Sequence, residues 1–196
     1  MASAADNPFR VQRIHALPYR APDYDRDALL TRLDALDYRA AIVGPHGHGK
    51  STLLNELAEA LATRGWSCHR LFSNSERRGV PRDFYAAVAP NLGQRDIVLY
   101  DGADLLNPFQ WMRFSRAVRK AGGLVITSHR KGRLPTLFEC RTSETLLLEL
   151  LAELAPGDAE RLMPEATTLL REYRGDLRKV FFALYDRCAS FGDSCA

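Results

Sequence analysis

Cysteine is scarce in this sequence, and no two cysteines stand at a metal-binding spacing. The four thiols are Cys68, Cys140, Cys188 and Cys195. None belongs to a C-x-x-C pair, which is the spacing that many zinc sites and redox motifs use. The pattern argues against a cysteine-based metal knuckle, and we expect reduced thiols, as in a cytoplasmic protein.

Long apolar runs and a large charge of one sign are also missing. No apolar stretch approaches the ~18 residues that a membrane span needs, and residues 1–7 lack the apolar segment of a signal peptide. We therefore expect neither export nor contact with a membrane, and a cytoplasmic location. The formal net charge of +3 is mild and the arginines are scattered, so DNA binding is neither required nor excluded.

The composition is that of an ordinary globular chain. Hydrophobic residues make up 46% and charged residues 26% of the sequence, which excludes disorder as its main property. A chain of 196 residues is long enough for one α/β domain with a small helical addition. It is too short for two enzymes.

Residues 44–51 (GPHGHGKS) fit the phosphate-binding pattern G-x-x-x-x-G-K-S/T at every fixed position. An apolar stretch that ends in β-branched residues precedes them, and leucines at helical spacing follow, so the motif lies between a predicted strand and a predicted helix. Glycines allow successive backbone N–H groups to turn towards a phosphate, and the start of the helix adds its own N–H groups. The motif therefore predicts a nucleoside triphosphate site.

Residues in and beside this loop have distinct expected roles. Lys50 would contact the terminal phosphates, and the hydroxyl group of Ser51 would bind Mg²⁺. The nucleotide-binding residues are expected to be Gly44, Pro45, His46, Gly47, His48, Gly49, Lys50, Ser51 and Thr52. We interpret His46 and His48 as solvent-facing, because no third zinc ligand lies near them in the sequence. ATP is expected rather than GTP, since no N-K-x-D guanine-recognition string is present.

A second informative segment is residues 96–101 (DIVLYD). Four consecutive apolar residues that end in an aspartate predict a buried parallel strand with a carboxylate at its carboxyl end. Ligands of open α/β sheets bind at that edge, so Asp101 is the expected second Mg²⁺ ligand. Asp104, three residues later, has two interpretations: a catalytic carboxylate, or the cap of a following turn.

The remaining pattern divides the chain into three parts. Residues 67–72 (SCHRLF) predict a second strand, residues 124–129 (LVITSH) another buried strand, and residues 137–140 a fifth short strand. Three helical stretches follow, at residues 143–154, 158–173 and 176–189. The predicted domains are a lead-in of residues 1–37, a core of residues 38–142 and a helical lid of residues 143–196.

These features resemble the AAA+ type of P-loop ATPases. The resemblance rests on residues 44–51 as Walker A, residues 97–101 as Walker B, Thr127 and Ser128 at the place of sensor 1, and the helical tail as the lid. Residues 175–178 (GDLR) resemble the start of the last lid helix, which implies that Arg178 is sensor 2 and contacts the γ-phosphate. Asn74 is similar in place to the polar residue that restrains the catalytic glutamate of the family.

The resemblance implies an α/β fold, namely a parallel-sheet P-loop NTPase core with a small C-terminal helical lid. Gly102 stands where many of these ATPases have the catalytic glutamate, so slow hydrolysis is expected, and Gly102→Glu is expected to raise turnover. Catalysis would then involve Lys50, Asp101, Asp104 and Arg178.

The implied function is an ATP-binding protein with Mg²⁺, either an AAA+ type ATPase or a slow nucleotide-dependent switch. It would act on a protein partner, on another copy of itself, or on DNA. Two alternatives stay open: a small P-loop kinase that phosphorylates a small molecule, and a non-catalytic adaptor that nucleotide stabilises.

Overall fold

The computed structural model describes residues 7–190, with the side chains of residues 7–188. The chain divides into two compact units. The sheet unit comprises Asp23–Gly44 and Lys50–Cys140, and the helical unit comprises the described parts of Met1–Pro22, Pro45–Gly49 and Arg141–Ala196. The domain boundaries at residues 37 and 142 stay predictions.

Five parallel strands form the centre of the sheet unit. They are β1 (Arg39–Val43), β2 (Ser67–Phe72), β3 (Asp96–Asp101), β4 (Gly123–Ser128) and β5 (Thr136–Glu139). Their spatial order is β2-β3-β4-β1-β5, and every neighbouring pair is parallel. The structure thus confirms the predicted α/β class and its parallel sheet.

Seven α-helices accompany the sheet in the described part of the chain. They are α1 (Val11–Ala16), α2 (Arg26–Ala35), α3 (Lys50–Thr63), α4 (Pro108–Ala117), α5 (Glu144–Leu154), α6 (Ala159–Glu172) and α7 (Leu177–Ser190). None of them is long and apolar enough to cross a membrane.

The central strands are buried because helices cover both faces of the sheet. Every residue of β4 is buried, and so are the four inner residues of β3. Tyr100 and Phe114 are fully buried, with ring centroids 5.0 Å apart. Burial of a large apolar side chain contributes about 1.5–3 kcal/mol, so this aromatic layer fixes β3 against α4.

The connections leave the sheet in opposite directions. Helix α3 leads from β1 to β2, whereas α4 leads from β3 to β4 the other way along the strand order. Because crossovers between parallel strands are right-handed, the two helices cover opposite faces. Open α/β sheets bind ligands beyond the carboxyl ends of the strands where the connections diverge. That edge carries the residues that follow β1, β3 and β4.

Two side chains cap helix starts. Asp25 accepts a hydrogen bond from the Ala28 amide at 2.7 Å, and Ser143 accepts one from the Leu146 amide at 3.1 Å. Each satisfies a backbone donor that a helix start leaves without an intrahelical partner. Between β2 and β3 lies a π-helical turn, Phe84–Val88, followed by a 3₁₀ turn, Ala89–Asn91.

The helical unit has its own apolar core. Leucines of α5 and α6 pack with Val180 and Leu184 of α7. Phe9 joins this core, stacking on Phe181 with ring centroids 6.0 Å apart. The short helix α1 was not among the predicted elements, because six residues are too few to display helical periodicity. Residues 7–22 therefore belong with the tail helices, while residues 23–37 belong with the sheet.

Three of the four cysteines lie within the described residues. Cys68, Cys140 and Cys188 form no disulfide with one another. Cys195 lies outside the described residues, so the expectation of a reduced thiol there stays a prediction.

The amino ends of β2 and β3 are joined by a histidine–aspartate pair. His69 Nε2 lies 2.7 Å from Asp96 Oδ1, and the Gly93 amide donates to Asp96 Oδ2 at 2.7 Å. These two hydrogen bonds lower the pKa of Asp96 below its ordinary value. A lowered pKa stabilises the fold while the carboxylate is ionised, and this stabilisation is lost as the pH falls through the lowered value.

We therefore expect Asp96→Asn to lower the free energy of unfolding near neutral pH by about 0.5–1 kcal/mol. The difference from wild type should disappear in acid, where the wild-type carboxylate is also protonated. Urea unfolding at both pH values measures it, with Asp83→Asn as the control, since Asp83 is exposed and caps no helix through its side chain. A difference of equal size at both pH values would show that the ionised form of Asp96 is not what stabilises the fold.

Candidate functional site

The first residue of the GPHGHGKS loop is fixed to the end of a neighbouring strand. The Gly44 amide donates to the Ser128 carbonyl oxygen at 3.1 Å, and the Cys140 amide donates to the Val43 carbonyl oxygen at 2.7 Å. The ends of β4 and β5 thus flank the end of β1. This backbone arrangement places Gly44, the first residue of the loop, at the carboxyl edge of the sheet.

Lys50 closes the base of the loop. Its Nζ donates to the Gly44 carbonyl oxygen at 2.7 Å, and the residue is only 9% exposed. A buried ammonium group loses hydration, which makes an anion a favourable further partner. Ser51 and Thr52 follow directly in the first turn of α3, where the positive end of the helix dipole also favours an anion.

Asp101 is held by a threonine on the next strand. Thr127 Oγ1 donates to Asp101 Oδ1 at 2.6 Å and accepts from the Gly102 amide at 2.8 Å. Thr127 is buried, so it fixes the orientation of the carboxylate at the end of β3. A cavity of about 200 Å³ between α3 and the ends of β2 and β3 reaches Asp101.

Ser51 and Asp101 suit Mg²⁺ by their chemistry. A hydroxyl group and a carboxylate are hard oxygen ligands, and Mg²⁺ completes its coordination with water and phosphate oxygens rather than with a protein cage. Residues 7–188 contain no cluster of three or more His, Cys, Asp or Glu side chains.

Gly102 occupies a backbone position that does not accept a side chain. Its φ is +85°, and a Cβ atom built there would lie 2.3 Å from the Ser73 carbonyl oxygen. Ser73 is itself fixed, because its hydroxyl group lies 2.8 Å from the hydroxyl group of Tyr100. The glutamate that is absent from this position therefore could not be accommodated without a change in the backbone.

Asp104 neither caps a helix nor stands alone. It lies in a 3₁₀ turn, Ala103–Leu105, whose preceding residue is Gly102, and the side chain that caps α4 is Asn107. The capping interpretation is therefore wrong. Instead, Asp104 Oδ2 lies 2.5 Å from His129 Nδ1, which joins the turn after β3 to the residue after β4.

The basic loop after β4 is engaged in structural contacts. Arg133 donates to the carbonyl oxygens of Ala103, at 2.8 Å, and Leu106. Its guanidinium group lies 4.9 Å from the centroid of the Trp111 ring, and burial lowers the pKa of Arg133. Lys131 pairs with Glu139 at 2.7 Å. Arg133 thus holds the turn that carries Asp104.

Residues 45–49 of the loop belong to the helical unit, where they contact the turn between α6 and α7. Gly47 has φ +72°, and a Cβ atom there would lie 1.9 Å from Asp176 Oδ1. His48 Nε2 lies 3.3 Å from the Arg174 carbonyl oxygen, and Thr142 Oγ1 donates to the Gly175 carbonyl oxygen at 2.9 Å. His48 is therefore partly buried against this turn, contrary to the solvent-facing position expected for it.

Other predicted site residues lie as follows. His46 is exposed, as expected. Arg178 is exposed in the first turn of α7, and its contact with a phosphate stays a prediction. Asn74 Oδ1 accepts from the amides of Glu76 and Arg77, at 3.1 and 2.7 Å. Asn74 therefore stabilises its own turn.

Sequence reasoning did not predict that His129 pairs with Asp104. The available signal was its position, since it ends the predicted strand 124–129 at the edge where the phosphate loop begins. Its partnership with Asp104 depends on two loops that are 25 residues apart in the chain, and no local pattern reveals such a pairing.

No known protein family has a sequence profile that matches the chain, and no curated protein sequence matches it.

Proposed function

We propose that this protein binds ATP with Mg²⁺ and is a P-loop ATPase of AAA+ type, acting as a slow hydrolase or as a nucleotide-dependent switch. The observation that carries this proposal is that the sheet unit holds both a buried Lys50, which donates to the Gly44 carbonyl oxygen, and an Asp101 carboxylate, which Thr127 orients. Both lie at the carboxyl ends of parallel strands, where this class of sheet binds ligands.

Each residue has a role that follows from its contacts. Lys50 and the amides of residues 44–51 would bind the phosphates, since they provide a buried cation and backbone donors at a helix start. Ser51 and Asp101 would hold Mg²⁺, which neutralises phosphate charge when bound. Thr127 orients Asp101, so sensor 1 acts here by positioning the metal-binding carboxylate.

A switch is supported by the contacts of residues 45–49. Gly47 lies against Asp176, and His48 lies against the carbonyl oxygen of Arg174. A ligand that alters the conformation of these loop residues changes their contacts with the α6–α7 turn. ATP and ADP would then favour different arrangements of the helical unit, to the extent that each nucleotide binds one arrangement more tightly than the other. A protein partner or a second copy would respond to that difference.

The test is steady-state phosphate release from Mg²⁺-ATP by wild type and Asp101→Asn. The amide oxygen of asparagine can still accept from Thr127, but the negative charge is lost. Because Asp101 would hold the metal through water, we expect turnover to fall about 10- to 100-fold. Asp83→Asn, on an exposed side chain of the same unit, should leave turnover unchanged.

Each outcome decides between the open functions. Turnover that needs Asp101 and no acceptor supports the ATPase. Tight ATP binding with no phosphate release, and with transfer to an added small-molecule acceptor, would support the kinase instead. ATP binding that raises the melting temperature without any phosphate chemistry would support the adaptor.

A further inference from the structure

One side of helix α4 is exposed and carries apolar and basic side chains together. Phe109, Met112, Arg113 and Arg116 stand at positions i, i+3, i+4 and i+7, so they share one side of the helix, which we call the α4 face. Phe109 is 68% and Met112 57% exposed, whereas Phe114 on the opposite side is fully buried in the core of the sheet unit. Two large apolar side chains that stay exposed side by side indicate a contact surface for a partner.

The charge of this region has a single sign. No Asp or Glu occurs between Asp104 and Glu139, and Arg119 and Lys120 follow the α4 face in the exposed turn after the helix. Within residues 7–188, the side chains of Arg116, Arg119 and Lys120 form no ion pair. Cations that no acid of the chain neutralises attract an anionic partner.

The surroundings of α4 extend this basic surface. The guanidinium group of Arg113 lies 4.4 Å from the centroid of the Tyr85 ring, which holds it at the surface. The loop after β2 lies beside the first turn of α4, because a Cβ atom built on Gly79 would be 3.7 Å from Gln110 Nε2. This loop and the turn after it carry three exposed arginines and two exposed acids, namely Arg77, Arg78, Arg82, Glu76 and Asp83. The excess of positive charge therefore continues past the amino end of α4.

The chemistry of the α4 face fits single-stranded DNA. Arginine binds phosphate oxygens through its planar fork, and an exposed aromatic ring stacks on any base. The bases of a duplex are stacked on one another, so Phe109 can reach only an unpaired base. Recognition of the 2′-hydroxyl group of RNA needs a neutral polar side chain. The nearest ones, Asn107 and Gln110, bond to each other's backbone amides in the capping box of α4.

Two other occupants fit less well. A two-fold dimer would place the same face on both subunits, so arginines would oppose arginines. An acidic protein could neutralise the arginines, but its carboxylates would lose water beside Phe109 and Met112, which is unfavourable. Each nucleotide of a single strand instead supplies an apolar base and a charged phosphate together.

We propose that the α4 face binds single-stranded DNA, with Phe109 stacked on a base and Arg113 and Arg116 on neighbouring phosphates. This activity goes beyond the proposed ATP site and does not rest on it. Stacking and phosphate contacts do not read base edges, so binding tolerates any sequence. The expected Kd at physiological salt is about 1–100 μM, as for other sequence-independent contacts.

The first experiment titrates a labelled oligodeoxythymidine of about 20 nucleotides, longer than a typical single-strand site, with protein in the absence of ATP. Fluorescence anisotropy measures the Kd. We expect Phe109→Ala and Phe109→Leu to raise the Kd about tenfold, because each loses the stacked ring. Phe109→Trp should stay within about twofold of wild type. Leucine keeps the apolar area, so the comparison separates stacking from a merely apolar contact.

The second experiment measures the salt dependence of the same binding. Arg116→Gln should make the slope of log K against log salt concentration shallower by about 0.7, the value for one phosphate contact on a single strand. Arg95→Gln is the matched control. Arg95 is also an exposed arginine, but it lies just before β3 at the amino edge of the sheet, so its replacement should leave the slope unchanged. Thermal unfolding checks that each variant is folded.

The outcomes separate this inference from the proposed ATP site. No binding of the strand by wild type at 100 times the micromolar range, about 100 μM, would overturn the inference, and so would an affinity that neither Phe109→Ala nor Arg116→Gln changes. Tighter binding of polyglutamate would assign the face to an acidic protein, and tighter binding of oligouridine to RNA. Loss of strand binding in Lys50→Ala would place the strand on the phosphate loop. Failure of wild type to bind ATP would overturn the proposed function and leave this inference standing.

Discussion

Replacing Lys50 by alanine is expected to weaken ATP binding about 100-fold or more, which corresponds to about 2.7 kcal/mol. The physical reason is that Lys50 provides a buried cation at the base of the loop, only 9% exposed and bonded to the Gly44 carbonyl oxygen. Charge-assisted hydrogen bonds to phosphate contribute about 1.5–3 kcal/mol each in such places. Turnover should become undetectable in the same variant.

Titration of ATP into wild type and Lys50→Ala measures this effect. Lys120→Ala is the control. Lys120 is exposed just beyond α4, and its replacement also removes one positive charge. Thermal unfolding of both variants checks that the sheet unit remains folded. Equal ATP affinity in wild type and Lys50→Ala would contradict the assignment of the loop to the nucleotide site.

Replacing Gly102 by alanine is expected to destabilise the protein by about 3 kcal/mol or more. A residue with a side chain held at positive φ costs about 1–3 kcal/mol, and Gly102 has φ +85°. The new Cβ atom would also lie 2.3 Å from the Ser73 carbonyl oxygen, and such overpacking costs typically about 1–3 kcal/mol more.

Gly65→Ala separates the two causes. Gly65 has nearly the same φ, +82°, but nothing lies within 4 Å of a Cβ atom built there. Its replacement therefore carries the backbone cost alone, and urea unfolding should find Gly102→Ala the less stable of the two. If Gly65→Ala were as destabilised as Gly102→Ala, the contact with Ser73 would not be a constraint.

The same contact changes the expectation for Gly102→Glu. From the sequence, this substitution would add a missing carboxylate and raise turnover. In the structure the glutamate could be placed only by moving the backbone between Asp101 and the 3₁₀ turn, which would also disturb the bond from Gly102 to Thr127. We now expect Gly102→Glu to lose stability and activity.

The sheet was predictable because its signals are local. Short apolar runs predicted β1, β3 and β4, and burial on both faces is what parallel strands require. The caps at Asp25 and Ser143 were predictable for the same reason, since a cap depends on residues three apart. The spatial order of the strands depends on tertiary packing, and no local pattern encodes it.

The site was predictable only in part. Residues 44–51 and Asp101 could be chosen because glycine, lysine and aspartate stand at fixed places relative to strands. The partnership of Asp101 with Thr127 joins different strands 26 residues apart. The lack of space for a side chain at Gly102 was not predictable, because it depends on the position of Ser73 at the end of another strand. The pairing of Asp104 with His129 was likewise not predictable, because a helix lies between the two residues in the sequence.

The helical unit illustrates the same limit. Its three long helices follow from leucine periodicity, but the contact of Gly47 with Asp176 does not. That contact joins residues 129 positions apart in the sequence, and only the fold brings a loop glycine against a carboxylate.

Calorimetric titration of wild-type protein with ATP, ADP and AMP in the presence of Mg²⁺ is the most direct test of the proposed nucleotide site. We predict saturable binding of ATP at one site, weaker binding of ADP and negligible binding of AMP, because Lys50 and the loop amides would contact the terminal phosphates rather than the base. Failure of ATP to saturate the protein, or equal binding of ATP and AMP, would contradict a P-loop ATPase.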